Sequence, residues 1–258
     1  MTASARAFVR RHTRRRPVPG LEHLRLHLAD EVLPLWHEVQ LETGDPDAPL
    51  PYWAFAWGGG LALAHYLRDV PTSVAGRRVL DLGAGSGLCA LAAAAAGASE
   101  VTAVDIDPFA IAAIEVNARA AGHHVATIQR DILDDDPPRV DLILAGDCWY
   151  ERGLADRVLP WLRRAAAAGS EVLIGDPRRR YLPVAALDEI TTYEVRTTTE
   201  LEDLERKDAG VYRLRAISRR PSRRPEPRVR SADAAEESLS PRAGRARPDG
   251  SAPRRSTG

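Results

Sequence analysis

The sequence predicts an α/β fold, a mostly parallel sheet with helices on both faces and an antiparallel hairpin at its C-terminal edge. Three observations carry this expectation. Short apolar runs alternate with helical segments between Arg77 and Gly175, the order that builds right-handed βαβ units. A glycine-rich turn joins the first run to a helix, and an acidic residue ends the next run, as in nucleotide sites on open sheets. Beyond Gly175 the pattern becomes β-rich with no convincing crossover helix, which suits antiparallel pairing.

The elements follow in order. Leu24, Leu26 and Leu28 alternate with polar residues as in a short strand. Asp30–Glu38 reads as a helix, with Pro34 as the objection. Arg77–Leu82 is a buried strand, and Leu88–Ala96 a helix stopped by Gly97. Val101–Asp105 is the second strand of the sheet. Asp107 is the expected N-cap of the next helix, Pro108 its first residue and Gly122 its stop. Strands over Val125–Gln129 and Val140–Ala145 precede a helix that carries Val158, Trp161 and Leu162. Glu171–Gly175 is a fifth strand. Tyr193–Thr199 and Gly210–Ile217 form the edge hairpin, with Leu201–Glu205 as a possible helical turn between them. No internal repeat is visible.

Composition bounds the organisation. The chain has 258 residues and no formal net charge. From Arg219 onward there are 11 Arg against 5 acidic residues, so the rest carries a charge of −6. A mildly acidic body argues against a nucleic-acid partner. The Arg/Pro/Ser-rich end is too poor in large apolar residues to offset its ordering entropy. The expected division is 1–50 as an N-terminal extension or cap, 51–217 as the main domain and 218–258 as a disordered tail. Lys207 is the only lysine, a compositional bias rather than a functional signal. Cys89 and Cys148 suggest neither a disulfide framework nor a metal site. The histidines show no ligand spacing, so no metal is expected. No apolar run is long enough to span a bilayer, and the Arg-rich N-terminus lacks the apolar core of a secretory signal. The expectation is a cytoplasmic protein with no membrane contact.

The strongest local signal is Asp81-Leu-Gly83-Ala-Gly85-Ser-Gly87. Glycines allow a sharp turn and a close ligand approach, and the helix that follows offers free N–H groups. Asp105 ends the next strand, 22 residues after Gly83, where a carboxylate can take both hydroxyls of a ribose. A dinucleotide is the rival ligand. The glycines run G-x-G-x-G rather than G-x-G-x-x-G. Asp81 would repel a pyrophosphate and suit the cationic amino-acid part of S-adenosylmethionine (SAM). Asp131 follows the third strand, where it can accept from an adenine amino group or simply close a turn. The acidic run Asp134–Asp136 reads as a solvated loop.

At this point a resemblance adds to the reading. The D-x-G-x-G-x-G loop with its downstream Asp resembles the class I, seven-stranded SAM-dependent methyltransferases, which implies a Rossmann-like seven-stranded methyltransferase sheet. PYWAFAWGGGLALAHYL (Pro51–Leu67), VLDLGAGSGL, VDIDPFA, LAGDCWYE (Leu144–Glu151), IGDPRRRYLP (Ile174–Pro183) and TELED (Thr199–Asp203) are similar to the lysine methyltransferases of the electron transfer flavoprotein beta subunit. The resemblance runs from about Phe8 to Ile217. The glycine loop alone identifies only the superfamily, whereas W-A-F-A-W, G-D-x-x-Y-E and G-D-P-x-R-x-Y-L-P together are far more specific. It implies SAM as cofactor, held by Trp57, Asp81, Gly83, Gly85, Gly87, Asp105, Ile106 and Asp131, and that flavoprotein subunit as protein substrate. Two residues depart from the family pattern: Arg178 stands where Gly usually follows G-D-P, and Cys148 is unusual between Asp147 and Trp149.

Methyl transfer from a sulfonium is an in-line displacement, so the protein mainly positions two partners and excludes water. A lysine acceptor must also become neutral. Its free pKa of about 10.4 puts the neutral amine roughly 4.6 kcal/mol uphill at pH 7. Asp147 and Tyr150 follow the fourth strand on the ligand side. By resemblance, D-x-x-Y occupies the place of N-P-P-Y in amino-methylating relatives, which makes Asp147 and Tyr150 the expected catalytic pair and Glu151 a weaker member. The alternative is that Asp147 caps the following helix and Tyr150 packs in the core. Trp53, Phe55 and Trp57 are either a lid over the cofactor or a packed flap. Trp149 either flanks the acceptor channel or lies in the core. Asp176, Arg179 and Tyr181 either grip the substrate or form a structural turn. Competing functions are a small-molecule N-methyltransferase, for example on a pyridine, a nucleic-acid methyltransferase, and a SAM-binding module without catalysis.

Overall fold

The computed structural model describes residues 2–196 and 206–215. They fall in the first of two compact units, Met1–Ser218. The second unit, Arg219–Gly258, with the expected tail, lies outside the described residues, as do Leu201–Glu205 and TELED.

The chain opens with α1 (Thr2–His12), β1 (Arg14–Val18), β2 (Leu21–Leu28) and α2 (Val32–Thr43). The strand read from Leu24, Leu26 and Leu28 is present, and those three leucines are buried. It pairs antiparallel with β1 in a separate two-stranded sheet. Sequence reading missed β1, whose RRRPV composition carries no apolar alternation, and α1, where only Ala5, Phe8 and Val9 turn inward. Pro34 does not break α2, because it sits in the first turn, where an N–H has no intrahelical partner.

Next come α3 (Gly58–Asp69), β3 (Arg78–Leu82), α4 (Leu88–Ala95), β4 (Glu100–Asp105), α5 (Pro108–Ala121), β5 (Ala126–Gln129), β6 (Leu142–Gly146), α6 (Arg152–Ala167) and β7 (Glu171–Asp176). They are followed by β8 (Leu187–Arg196) and β9 (Arg206–Leu214). Seven strands form one sheet in the order β5-β4-β3-β6-β7-β9-β8. β3 to β7 are parallel, and β9 inserts antiparallel between β7 and the edge strand β8. β8 begins at Leu187, six residues before the expected Tyr193. Its polar Asp188, Glu189, Thr191 and Thr192 are tolerated because an edge strand is half solvated.

Alternation in the central strands builds two cores. Leu142 and Leu144 of β6 face α3, α4 and α5, while Ile143 and Ala145 face α6. On α6, Ala155, Val158, Trp161, Leu162 and Ala165 form the single buried stripe. The outer side of α5 is covered by α1, α2 and the 3-10 turn Tyr52–Ala54, through Phe8, Val39, Trp53 and Phe109. Asp107 caps α5 by accepting from the Phe109 N–H at 2.7 Å, and Gly122 ends it at φ 74°.

One close approach sets the position of α3. A Cβ on Gly59 would stand 2.1 Å from the Gly175 carbonyl oxygen, and one on Gly175 only 2.0 Å from that of Gly59. The first turn of α3 therefore lies backbone to backbone on the end of β7. We expect Gly175→Ala to cost at least about 3 kcal/mol, since helix and strand must part. Gly44→Ala is the comparison: there a Cβ meets open space and the only cost is the left-handed backbone (φ 67°), about 1 kcal/mol. Denaturant unfolding of both variants checks the contrast; equal costs would contradict it.

Candidate active site

The parallel strands deliver their loops to one edge of the sheet, the ligand side of an open α/β fold. β3 runs into the glycine loop, and Gly83, Gly85 and Gly87 all adopt left-handed conformations, with φ of 66°, 52° and 78°. The loop folds back on β4: Gly83 and Ala84 donate to the Val104 carbonyl at 2.9 and 3.0 Å. Gly85 donates to Asp105 Oδ2 at 2.9 Å, and Asp107 N to Oδ1 at 3.0 Å. Each Asp105 oxygen keeps a second acceptor position. Burial raises the Asp105 carboxyl above the usual range, and among the described residues no basic side chain pairs with it. Ile106, beside it, is 69% exposed.

Asp81 lies beneath the loop, 1% exposed, and accepts from the Ala90 N–H of α4 at 2.9 Å. Burial, with Asp105 nearby, pushes its carboxyl up to about 7. Asp131, after β5, accepts from Leu133 N at 3.0 Å and pairs with Arg157 at 2.8 Å, which holds its carboxyl below the usual range. Those contacts hold Asp131 in a turn at the end of β5. Sequence reading missed Asn117, which is fully buried on α5. It donates to the Ser86 carbonyl at 2.9 Å and accepts from His27 N at 2.7 Å, tying the glycine loop to β2. An Asn on the inner face of an apolar helix was its only signal.

The second half of the site is the segment after β6. Asp147 adopts φ 58°, left-handed and costly for a residue with a Cβ. It does not cap the helix that follows: the N-cap position of α6 is Glu151, and no side chain caps that helix. Its Oδ1 accepts from Gly59 N at 3.0 Å and its Oδ2 from Gly60 N at 2.7 Å. It therefore caps α3, 88 and 87 residues earlier in the chain. Arg179 pairs with Asp147 Oδ1 and reaches Asp176 at 3.3 Å. Asp176 is fully buried and accepts from Arg179 N at 2.6 Å; burial pushes it up to about 6 despite the guanidinium. Asp176 and Arg179 thus hold a turn, as one of the two readings expected. Arg178 follows at φ 64°, the left-handed conformation that glycine favours. The turn keeps the shape that Gly would give, with Arg178 anchored to Glu189 at 2.8 Å.

Tyr150 is 48% exposed and does not pack in the core. Burial of its hydroxyl, with Tyr52, Cys148, Glu151 and Asp105 around it, pushes its pKa up to about 12. Trp149 is fully buried, a core residue on the α6 side. Trp53 and Phe55 are buried in the N-terminal packing, while Trp57 is partly exposed and donates from Nε1 to the Tyr52 carbonyl at 2.8 Å. The Trp53 backbone borders the glycine loop: a Cβ on Gly85 would lie 3.8 Å from Trp53 Cα. Glu151 is exposed at the start of α6. Among the described residues no helix is long and apolar enough to cross a membrane.

The buried carboxylates give a pH signature. Asp81 ionises near 3.9 in an unfolded chain and at about 7 in the fold. Between those values the native state holds a proton that the unfolded state has released, so stability falls as pH rises. Asp81→Asn can accept the same Ala90 bond without ionising. Relative to the wild type, it should gain about 3 kcal/mol between pH 5 and pH 8, read by denaturant unfolding at the two pH values. A pH-independent difference would mean that Asp81 is charged in the fold throughout.

Comparison with known proteins fits this geometry. The family model of ribosomal protein L11 methyltransferase (PrmA) matches residues 66–146. The electron transfer flavoprotein beta subunit lysine methyltransferase of Rattus norvegicus is 45% identical over 131 residues, 50% of this chain and 51% of the relative. The protein of the same name in Xenopus laevis is 36% identical over 215 residues, 80% of this chain and 85% of the relative. The chain thus spans about half the length of the rat and mouse relatives and most of the frog one. Among solved structures, a putative RNA methyltransferase from Pyrococcus horikoshii superposes with a TM-score of 0.52 at 18% identity, over 66% of this chain and 91% of that one. That likeness establishes the fold alone.

Proposed function

The chain belongs to the electron transfer flavoprotein beta subunit lysine methyltransferase family, and from that premise we propose that it methylates a lysine of that flavoprotein subunit with SAM as the methyl donor. The carrying observation is the meeting of the glycine loop and the Asp147–Tyr150 segment on one edge of the sheet.

The residues present fit SAM. Asp105 is a largely buried carboxylate with an acceptor position left on each oxygen, which suits two hydroxyl donors. Side chains at Gly83 or Gly85 would crowd a ligand against the loop. Asp105 would take the ribose, Ile106 would lie against the adenine, and Asp131 would be in reach of the adenine amino group. Asp81 braces the loop, and a cationic amino acid bound above it would favour its ionised form. Trp57 would cover the cofactor from the side of α3. Bound there, SAM supplies an electrophilic methyl group on a sulfonium.

The acceptor side is built by Asp147 and Tyr150. Asp147 fixes the segment by capping α3, so its contribution is position. Tyr150 stays protonated at neutral pH and can accept from the lysine ammonium through its hydroxyl oxygen. Partial desolvation of the ammonium as it enters the site disfavours its charged form and favours loss of its proton to water. The acceptor amine then needs no covalent help from the protein. The buried thiols of Cys89 and Cys148 suit a reducing compartment, and the proposal places the protein in the cytoplasm.

Intact-mass measurement of unmethylated electron transfer flavoprotein, incubated with this protein and SAM, tests the reading. Methyl-sized steps are expected on the beta subunit, with Tyr150→Ala slowing them about a hundredfold while SAM binding persists. Absence of any step in a sample that binds SAM would rule out this substrate.

A further inference from the structure

Beside the acceptor segment lies an exposed aromatic surface. Tyr52 and Tyr150 are both exposed, at 43% and 48%, and their ring centroids stand 5.6 Å apart at an interplanar angle of 40°. Exposed aromatic pairs at the mouth of a site present π-faces to whatever enters. Tyr52 is not free to drift. It opens the 3-10 turn Tyr52–Ala54, next to the buried Trp53. Its carbonyl accepts from Trp57 Nε1 at 2.8 Å, and the Trp57 ring lies 5.6 Å from its own. The two tyrosines stand 98 positions apart in the chain, yet they meet beside the segment that Asp147 clamps to α3.

Resting on the proposed methyl transfer, we infer that Tyr52 and Tyr150 together form a cation–π cradle for the acceptor ammonium, with Trp57 bracing Tyr52. A cation can sit within the roughly 6 Å of each centroid at which such attraction acts. The surrounding charge agrees: the carboxylates of Glu151 and Asp105 act on the Tyr150 hydroxyl. A positive ligand is therefore the one this surface favours. In each turnover the ammonium first releases a proton to water. The nitrogen lone pair then takes the methyl group, the carbon–sulfur bond breaks, and the sulfonium donor leaves as a thioether. The product is again an ammonium, and the cradle holds it by the same attraction.

The test compares Tyr52→Phe with Tyr52→Leu in the full-length protein. Phe keeps a π-face and should stay within about threefold of wild-type kcat/KM on the flavoprotein. Leu keeps apolar bulk without the face and should fall about tenfold or more, mainly through KM, with SAM affinity unchanged. Equal loss in both variants, no loss in Leu, or a matching loss of SAM affinity would overturn the cradle. If the wild type fails to methylate the flavoprotein, the substrate reading falls, and the cradle is then decided without catalysis. Tetramethylammonium should shift tyrosine ring signals in NMR spectra of the wild type and Tyr52→Phe but not of Tyr52→Leu; no shift in the wild type at tens of millimolar would overturn it.

Discussion

The ligand side of this sheet depends on one carboxylate. Asp147 takes the first N–H groups of α3 on its two oxygens and a guanidinium on the flank. Helix N-termini hold anions well because unpaired N–H groups and the helix dipole act together. Here the anion is the protein's own, offered by the segment after β6, beside the β7 end on which the helix rests. The arrangement offsets the left-handed backbone at Asp147 and requires glycine on both sides of the contact, at Gly59 and Gly175. Three features that look unrelated in sequence, the GGG run, the G-D-C-W-Y segment and G-D-P, are therefore parts of one joint.

That joint couples the two halves of the site. α3, with Trp57 at its N-cap, begins just after the aromatic turn Tyr52–Ala54, and Trp53 in that turn borders the glycine loop. Buried carboxylates dominate the other half. Asp81, Asp105 and Asp107 are all raised by desolvation, the state expected of acidic groups that wait for a cationic or hydroxyl-rich ligand. Asn117 carries the connection outward to the N-terminal strand pair. The N-terminal segment therefore supports the loop that the cofactor would occupy.

Legibility followed the range of the interactions. The glycine loop, the Asp107 cap and the Gly122 stop were readable because their partners lie within a few residues. The central strands were readable because burial on both faces leaves continuous apolar runs. The role of Asp147 in capping α3 was not, since its partners stand 88 and 87 residues away. Nor was the start of α3, because three glycines are poor helix formers and only the tertiary joint explains them. α1 and β1 were hidden by arginines that serve a solvated surface. The Arg178 turn was readable in part: the expected glycine conformation is there, although the residue is not glycine.

The position of α3 against the acceptor segment rests on Asp147. Amide hydrogen exchange at Gly59 and Gly60, measured together with methyl transfer in Asp147→Ala, tests it directly. Both amides are expected to lose protection and transfer to collapse in the same sample, while the glycine-loop amides stay protected and SAM still binds. Collapse of transfer with Gly59 and Gly60 as protected as in the wild type would contradict it, and would leave Asp147 as a direct contact of the acceptor instead.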